Sequence, residues 1–532
     1  MAYTAHFDHG VASGDPLSDS IVLWTRVTPK LESVVLESNG CDEDSPSFEI
    51  RYFVSRNEKE ITSGTHTALC TNDWTFKIDL IGLESGVKYS YGFESSSYSS
   101  PHGYFRLPSD DVERISFAVF SCSNFGYGYF KSYGHAASLD LDFSLFLGDY
   151  IYEYDPSGSY VVRQSEDLLS YGTRLDNITD YRKRYESYHK DPDLRALRAA
   201  APIIAAWDDH EFANDAYQSG AGNHDESRDG PWNPRKEAAA RAFEEWIPIR
   251  TKRTTRRRLN VHRSMVNDDD VLYAINRTFD FGSLARLTMV ESRVTARTNP
   301  YTQDFSWGQD LDVIGQILDS HPGANESLES WDDSCRDAIE TYAASTRAHA
   351  QISNRSILGT SQLEWLSEKI EKGPQTWHIV GQQQVLQPCA LPNYTSMMMR
   401  PESEWRESLE NATQIDLAES PTLLIHSPLK RYDDTRGFPH TISPYERRKY
   451  LQYFAAGQYG AVLNFDGWNG YVAERKRFVQ ALRSTNKDKI VVLGGDSHNA
   501  WTGMLEDVAA EFDGQGTTSP GIEKSFPYYD PK

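Results

Sequence analysis

Four apolar runs in this chain each end in a cluster of residues able to hold cations or move protons, and that recurrence constrains the fold most. After residues 115–120 come Ser121, Cys122, Ser123 and Asn124. After 143–147 come Gly148, Asp149, Tyr150, Ile151, Tyr152 and Glu153. After 203–207 come Asp208, Asp209, His210 and Glu211, with Asn214 three residues on. After 490–493 come Gly494, Gly495, Asp496, Ser497, His498 and Asn499. Runs so short and so apolar read as strands buried on both faces. In open α/β sheets, ligands gather beyond the carboxyl ends of strands. One polar strand end is ordinary; four imply a shared site.

Helical stretches separate these runs, and 284–290 and 377–380 read as further buried strands. Asn233-Pro234 is expected to cap and open a helix that runs to Trp246 and stops at Pro248. Ser361 opens another. One of Asp208 and Asp209 is expected to cap a following helix. The alternation predicts an α/β region over 111–532. Residues 1–110 read instead as a small all-β sandwich domain. Runs at 21–27, 47–54, 74–80 and 87–93 are rich in β-formers, and Ser13-Gly14-Asp15-Pro16 and Glu84-Ser85-Gly86 read as turns. Leu83 followed by a turn and then Tyr89 and Tyr91 is the local chemistry of a tyrosine corner. The basic cluster 250–258, beside the polar, acidic run 267–270, is expected to be a solvated loop.

With 54 Lys+Arg against 77 Asp+Glu, the net charge of −23 argues against binding nucleic acid or anionic membranes. The longest apolar runs, such as 199–207, are too short to cross a bilayer. Five cysteines are too few for a disulfide scaffold. Cys41, Cys70, Cys335 and Cys389 make either two bridges or four buried thiols, with Cys122 left apart. Sequons begin at Asn177, Asn276, Asn325, Asn354, Asn393 and Asn411 and lean towards a secreted, extracellular protein. Residues 1–6 carry no leader pattern, so the expectation is either a cytoplasmic protein or a mature form whose leader has been removed. Oligomeric state is not readable.

The residue types choose the chemistry. Carboxylates, a phenol, imidazoles and one thiol form a mixed set suited to iron, manganese, zinc or calcium better than to copper. Asp149 can bridge two cations, with Tyr152 turning back to one of them, while Asp496 and His498 reach in from another strand end. Two adjacent cations clamp a phosphoryl group and acidify water, and His210 is placed to protonate a leaving oxygen. Singly, each has an ordinary reading: Cys122 as a small core residue, Tyr152 as a core aromatic, His498 as a loop histidine. All of those readings must hold together to remove the site. There is no Gly-x-Ser-x-Gly elbow and no P-loop.

Gly148-Asp149-x-x-Tyr152 resembles the signature of purple acid phosphatases. The full set resembles the alkaline phosphatase D (PhoD-like) phosphatase/phosphodiesterase family more closely. The matching runs are His9-Gly10-Val11-Ala12-Ser13-Gly14-Asp15-Pro16, Leu23-Trp24-Thr25-Arg26, Ser121-Cys122-Ser123-Asn124, Gly148-Asp149-Tyr150-Ile151-Tyr152-Glu153, Trp207-Asp208-Asp209-His210-Glu211 and Gly495-Asp496-Ser497-His498. Residues 466–471 and Arg475 resemble a late family run. The likeness is colinear over nearly the whole chain.

The resemblance implies a four-layer α/β/β/α metallophosphoesterase core behind the N-terminal sandwich. Cys122, Asp149, Tyr152 and His498 would hold Fe3+. Asp149 would bridge to a divalent side carrying Asp209 and Asp496, filled by Ca2+ or alternatively Mn2+, Zn2+ or Mg2+. Asn214 would be a further ligand, Asn124 would contact phosphate, and His210 would be the catalytic histidine. A metal-bound hydroxide would attack the phosphorus of a small phosphate mono- or diester. The alternatives are phospholipase-type diester cleavage and a catalytically inactive binding protein. The chain departs from the family pattern at Glu291-Ser292-Arg293, where an Asp-x-Arg run is expected. Gln382, Gln383 and Gln384 are assigned no ligand role. The chain also stops soon after Gly521, where family members usually continue, which predicts a truncated chain or a more open cleft.

Overall fold

The computed structural model describes residues 3–31, 34–35, 41, 45–156, 161–163, 174–250, 275–301, 310–387, 444–462 and 464–498. The chain divides into one compact unit of Met1–Asn299, Ser356–Val385 and Gln480–Asn499, and a second of Pro300–Arg355, Leu386–Val479 and Ala500–Lys532.

In the first unit the Phe117–Phe120, Phe143–Phe146 and Ile203–Ala205 strands pair in parallel. Their sheet continues through Val11–Leu17 to the antiparallel Ser20–Arg26 and Thr75–Ile81 strands, so it runs across the division expected near residue 110. Every residue of Ser20–Arg26 is buried, because alternate side chains serve two cores. Ile21 and Leu23 join an N-terminal cluster with Ile50, Val54, Tyr91 and Phe93, whereas Trp24 joins the α/β core. A four-stranded antiparallel sheet of Gly103–Arg106, Lys88–Glu94, Phe48–Arg56 and Lys59–Ala68 completes this β-rich region. The Tyr89 hydroxyl donates to the Glu84 carbonyl at 3.2 Å and accepts from its N–H at 3.0 Å, forming the expected tyrosine corner.

Two expectations fail here. Residues 13–16 are not a turn but lie inside the Val11–Leu17 strand, where the register shifts after Gly14 and Asp15 takes a left-handed φ of 47°. Turn-like residues serve as a bulge. A side chain on Gly14 would run into the Pro248 carbonyl. Arg250, expected in a solvated loop, is buried: its N–H donates to Asp15 at 2.7 Å and its Nη2 to Asp79 at 2.7 Å. The rest of that cluster and the acidic run after it lie outside the described residues.

The second sheet of this unit is Arg277–Phe281, Ala285–Met289, Trp377–Gly381 and Ile490–Leu493, a hairpin followed by parallel pairings. The two sheets share one core: the Phe143 ring stacks on Phe281 at 5.0 Å, and Leu145, Leu287 and Met289 belong to the same cluster. Helices Ile178–His189, Pro192–Ala200 and Trp232–Trp246 add Tyr185, Leu197, Phe243 and Trp246 to it. Helix Thr360–Glu371 meets the second sheet, where Arg286 Nη1 donates to the Lys369 carbonyl at 3.0 Å. The core is therefore an α/β/β/α arrangement. Helix Trp232–Trp246 begins after Pro231, so Asn233 and Pro234 occupy its first turn rather than its cap. Proline is tolerated there because first-turn N–H groups have no intrahelical partner.

In the second unit, helices Asp310–Ser320, Asp333–Ala350 and Pro444–Tyr459 pack around Ile314, Leu318, Trp331, Ile339, Leu451 and Ala455. Cys41 and Cys70 are bonded, and Cys122 and Cys335 are free thiols; Cys389 lies outside the described residues. Two sequons have structural explanations. Asn177 caps helix Ile178–His189, its side chain accepting from the N–H groups of Thr179 and Asp180. Asn276 is buried. Among the described residues no helix is long and apolar enough to cross a membrane.

Candidate active site

The expected site residues lie on loops just past strand ends of the first unit, and the backbone there is strained. Cys122, Asp149, Asp496 and His498 take left-handed φ angles of 57°, 51°, 63° and 53°. Such conformations cost on the order of 1–3 kcal/mol each and persist only where their surroundings dictate them. Gly148, at φ 109°, gives the room: a side chain there would collide with Asp208.

Among the described residues, three groups of potential ligand atoms each fall within 4.8 Å: Cys122, Asp149 and His498; Asp149, Asp209 and His210; and Asp208, Asp209 and Asp496. Asp149 belongs to the first two. The Tyr152 hydroxyl donates to Asp149 Oδ2 at 3.1 Å and lies 3.3 Å from His498 Nε2, so it joins the first group. Asp149 Oδ1 is buried without a hydrogen-bond partner among the described residues. A buried carboxylate oxygen left so is costly unless a cation faces it, so the residues present fit a metal. Burial, reinforced by Asp149, pushes the Cys122 thiol and the Tyr152 phenol far above their ordinary values. Burial raises Asp149 too, against the pull of His210. Cation binding here displaces protons.

His210 faces this cluster and is held from behind. Its Nδ1 lies 2.7 Å from Glu153 Oε2, and Glu153 also accepts from Asn214 N at 2.7 Å and Asn223 Nδ2 at 2.8 Å. Burial opposes charge on the His210 ring, but Glu153, Asp209 and Asp149 outweigh it and raise the ring well above 6.5. Burial opposes charge on Glu153 as well, yet His210 and the hydrogen bonds hold it down at about 2. His498 moves the other way, lowered by burial and by the nearby His210.

Neither Asp208 nor Asp209 caps a helix. Asp209 Oδ2 accepts the Asp215 N–H at 2.6 Å within a run of turns, and Asp208 Oδ1 accepts from Arg293 Nε. Asn124 Oδ1 caps a short turn at Gly126 N; its Nδ2 and that of Asn214 are buried without a hydrogen-bond partner among the described residues. The glutamines are spent on the fold. Gln383 Oε1 accepts from Ser292 Oγ at 2.5 Å, Gln384 Oε1 accepts from Arg297 Nη1 at 3.2 Å, and Gln382 Nε2 donates to the Gln384 carbonyl.

Two buried glutamates organise these loops, and sequence reasoning gave neither a role. Glu211 accepts the N–H groups of Asp149 (3.0 Å), Tyr150 (2.5 Å), Ile151 (3.2 Å) and Asp208 (2.6 Å). It thereby ties the Asp149 loop to the Asp208–His210 loop. Glu291 accepts the N–H groups of Arg293 (2.8 Å), Val294 (2.9 Å) and Thr295 (2.9 Å), and the Trp207 indole at 2.8 Å. The only sequence signal was a carboxylate beside a ligand or basic residue, which does not separate an anchor from a ligand.

Comparison with known proteins agrees with this architecture. The profile for PhoD-like phosphatase matches residues 117–527, and that for the PhoD-like phosphatase N-terminal domain matches residues 2–109. Alkaline phosphatase D of Bacillus subtilis (strain 168) is 26% identical over 530 residues, covering 97% of this chain and 70% of that protein. A solved structure of PhoD, at 24% identity, aligns over 93% of this chain and 72% of that chain with a TM-score of 0.61, which bears on the fold alone. The chain belongs to the PhoD-like phosphatase family and is a metal-dependent phosphoester hydrolase.

Proposed function

We propose that this enzyme hydrolyses small phosphate mono- or diesters at a dinuclear Fe3+/divalent site. The observation that carries this reading is Asp149, shared by two ligand groups and presenting a buried oxygen without a hydrogen-bond partner. Cys122, Asp149, Tyr152 and His498 would hold Fe3+. Asp149, Asp209 and Asp496, with Asn214 as a further ligand, would hold Ca2+ or, in its place, Mn2+, Zn2+ or Mg2+. When bound, such a pair acidifies a water and neutralises charge on the phosphoryl oxygens.

The chain's own groups do the rest. His210, kept charged by Glu153 until the transfer, gives a proton to the departing alcohol oxygen and is left neutral. Asn124 offers its Nδ2 to a phosphoryl oxygen. The net charge of −23 disfavours a highly anionic polymer as substrate. In the same reading, residues 1–110 and 111–532 are the β-sandwich and catalytic regions, and the enzyme works in a secreted, oxidising setting suited to the Cys41–Cys70 bond.

Ferric iron bound by a phenolate absorbs visible light. The purified enzyme is expected to be coloured, and Tyr152→Phe to lose both that band and most turnover. A colourless, iron-free wild type with full activity contradicts the iron assignment.

A further inference from the structure

Arg293 reaches from the second sheet into acids that belong to both sheets. It follows the Ala285–Met289 strand and is 0% exposed. Its Nε donates to Asp208 Oδ1, its Nη2 donates to Asp496 Oδ1 at 3.0 Å, and the same Nη2 lies 3.3 Å from Asp209 Oδ1. Its backbone is fixed in turn by the Glu291 carboxylate, which accepts the Arg293 N–H at 2.8 Å.

Asp208, Asp209 and Asp496 fall within 4.8 Å of one another and could by type and distance cage a cation themselves. A guanidinium already contacts all three and offsets part of their charge. Three carboxylates this close do not stay together without neutralisation. A planar guanidinium, with donors in a fixed fork, can hold several at set angles, whereas an ammonium is a point charge. Asp209 comes from the first sheet and Asp496 from the second, so one side chain sets the distance between them.

We propose that Arg293 is a positioning residue: it occupies the Asp208–Asp209–Asp496 cluster in place of a metal and holds Asp209 and Asp496 at the separation from which they bind the divalent cation. The proposal rests on the assignment of those two aspartates to the divalent side. Charge alone predicts the opposite sign, since removing a positive group from an acidic site should tighten cation binding.

The full chain, as wild type, Arg293→Met and Arg293→Lys, is dialysed against chelator-buffered Ca2+ at graded concentrations. Bound calcium is read by elemental analysis, with circular dichroism as the folding check. Loss of a residue that orients ligands typically weakens metal binding about 10–100-fold, and that is expected for Arg293→Met, with Arg293→Lys recovering only part. Folded Arg293→Met with equal or tighter retention overturns the proposal. So does Arg293→Lys matching wild type, which decides the matter if Arg293→Met does not fold. A wild type that retains no divalent cation removes the two-cation function and the inference together; retention by wild type with an indifferent variant removes the inference alone.

Discussion

At its strand ends the first sheet presents Cys122, Asp149, Asp209 and His210, whereas the second presents Glu291, Arg293 and three buried glutamines before it reaches Asp496 and His498. Both sets of loops are organised by a buried glutamate that accepts backbone N–H groups, Glu211 on one side and Glu291 on the other. The two histidines also differ. Glu153 helps raise His210, whereas burial and the nearby His210 lower His498, which suits the proton-donor and neutral-ligand roles proposed for them. In the proposed reading the site is asymmetric: one sheet would bring the bridging acid and the proton donor, and the other Arg293, hydrogen-bonded glutamines and two more ligands.

If Glu211 is what holds the charged side together, its replacement should have the largest effect. Glu211→Gln keeps the shape but turns one oxygen into a donor facing N–H groups, leaving two of them without an acceptor. A loss of about 4 kcal/mol in denaturant unfolding is expected; a change under about 1 kcal/mol breaks the claim that this carboxylate anchors both loops.

A smaller effect separates the histidines. With its folded-state pKa raised by Glu153, His210 carries its proton below that pKa and loses it as pH rises through it. Glu153→Gln removes the charge that does most to raise it, so the alkaline limb of kcat should move to lower pH, with turnover at neutral pH down about tenfold. An unmoved limb contradicts the pairing.

The smallest effect belongs to the glutamines. Gln383→Leu breaks the Ser292 bond and should cost about 1 kcal/mol of stability. Metal content should not change, and a marked drop in bound metal would make Gln383 a ligand and erase the asymmetry.

The sequence made the strand ends legible because apolar runs of strand length stop abruptly at glycine and polar residues, as at Leu147-Gly148-Asp149 and Leu493-Gly494. The run of β-formers at 21–27 was legible as a strand, although its service to two different cores was hidden, since that depends on which sheets pack on each face. Asp15 was misread because a bulge and a turn use the same residues. Arg250 was misread because its acceptors, Asp15 and Asp79, are more than 170 positions away. Glu211 and Glu291 escaped for a related reason: a carboxylate that anchors amides has the same letter as one that binds a metal, and only the donors around it tell them apart.

Everything in the catalytic account passes through the oxygen atoms of one aspartate. Iron and divalent metal per chain, determined side by side on purified wild type and Asp149→Ala, test that directly. The account predicts one iron and at least one divalent ion in the wild type, and loss of both from the variant while it stays folded. A folded Asp149→Ala protein that keeps both metals at the wild-type level contradicts it.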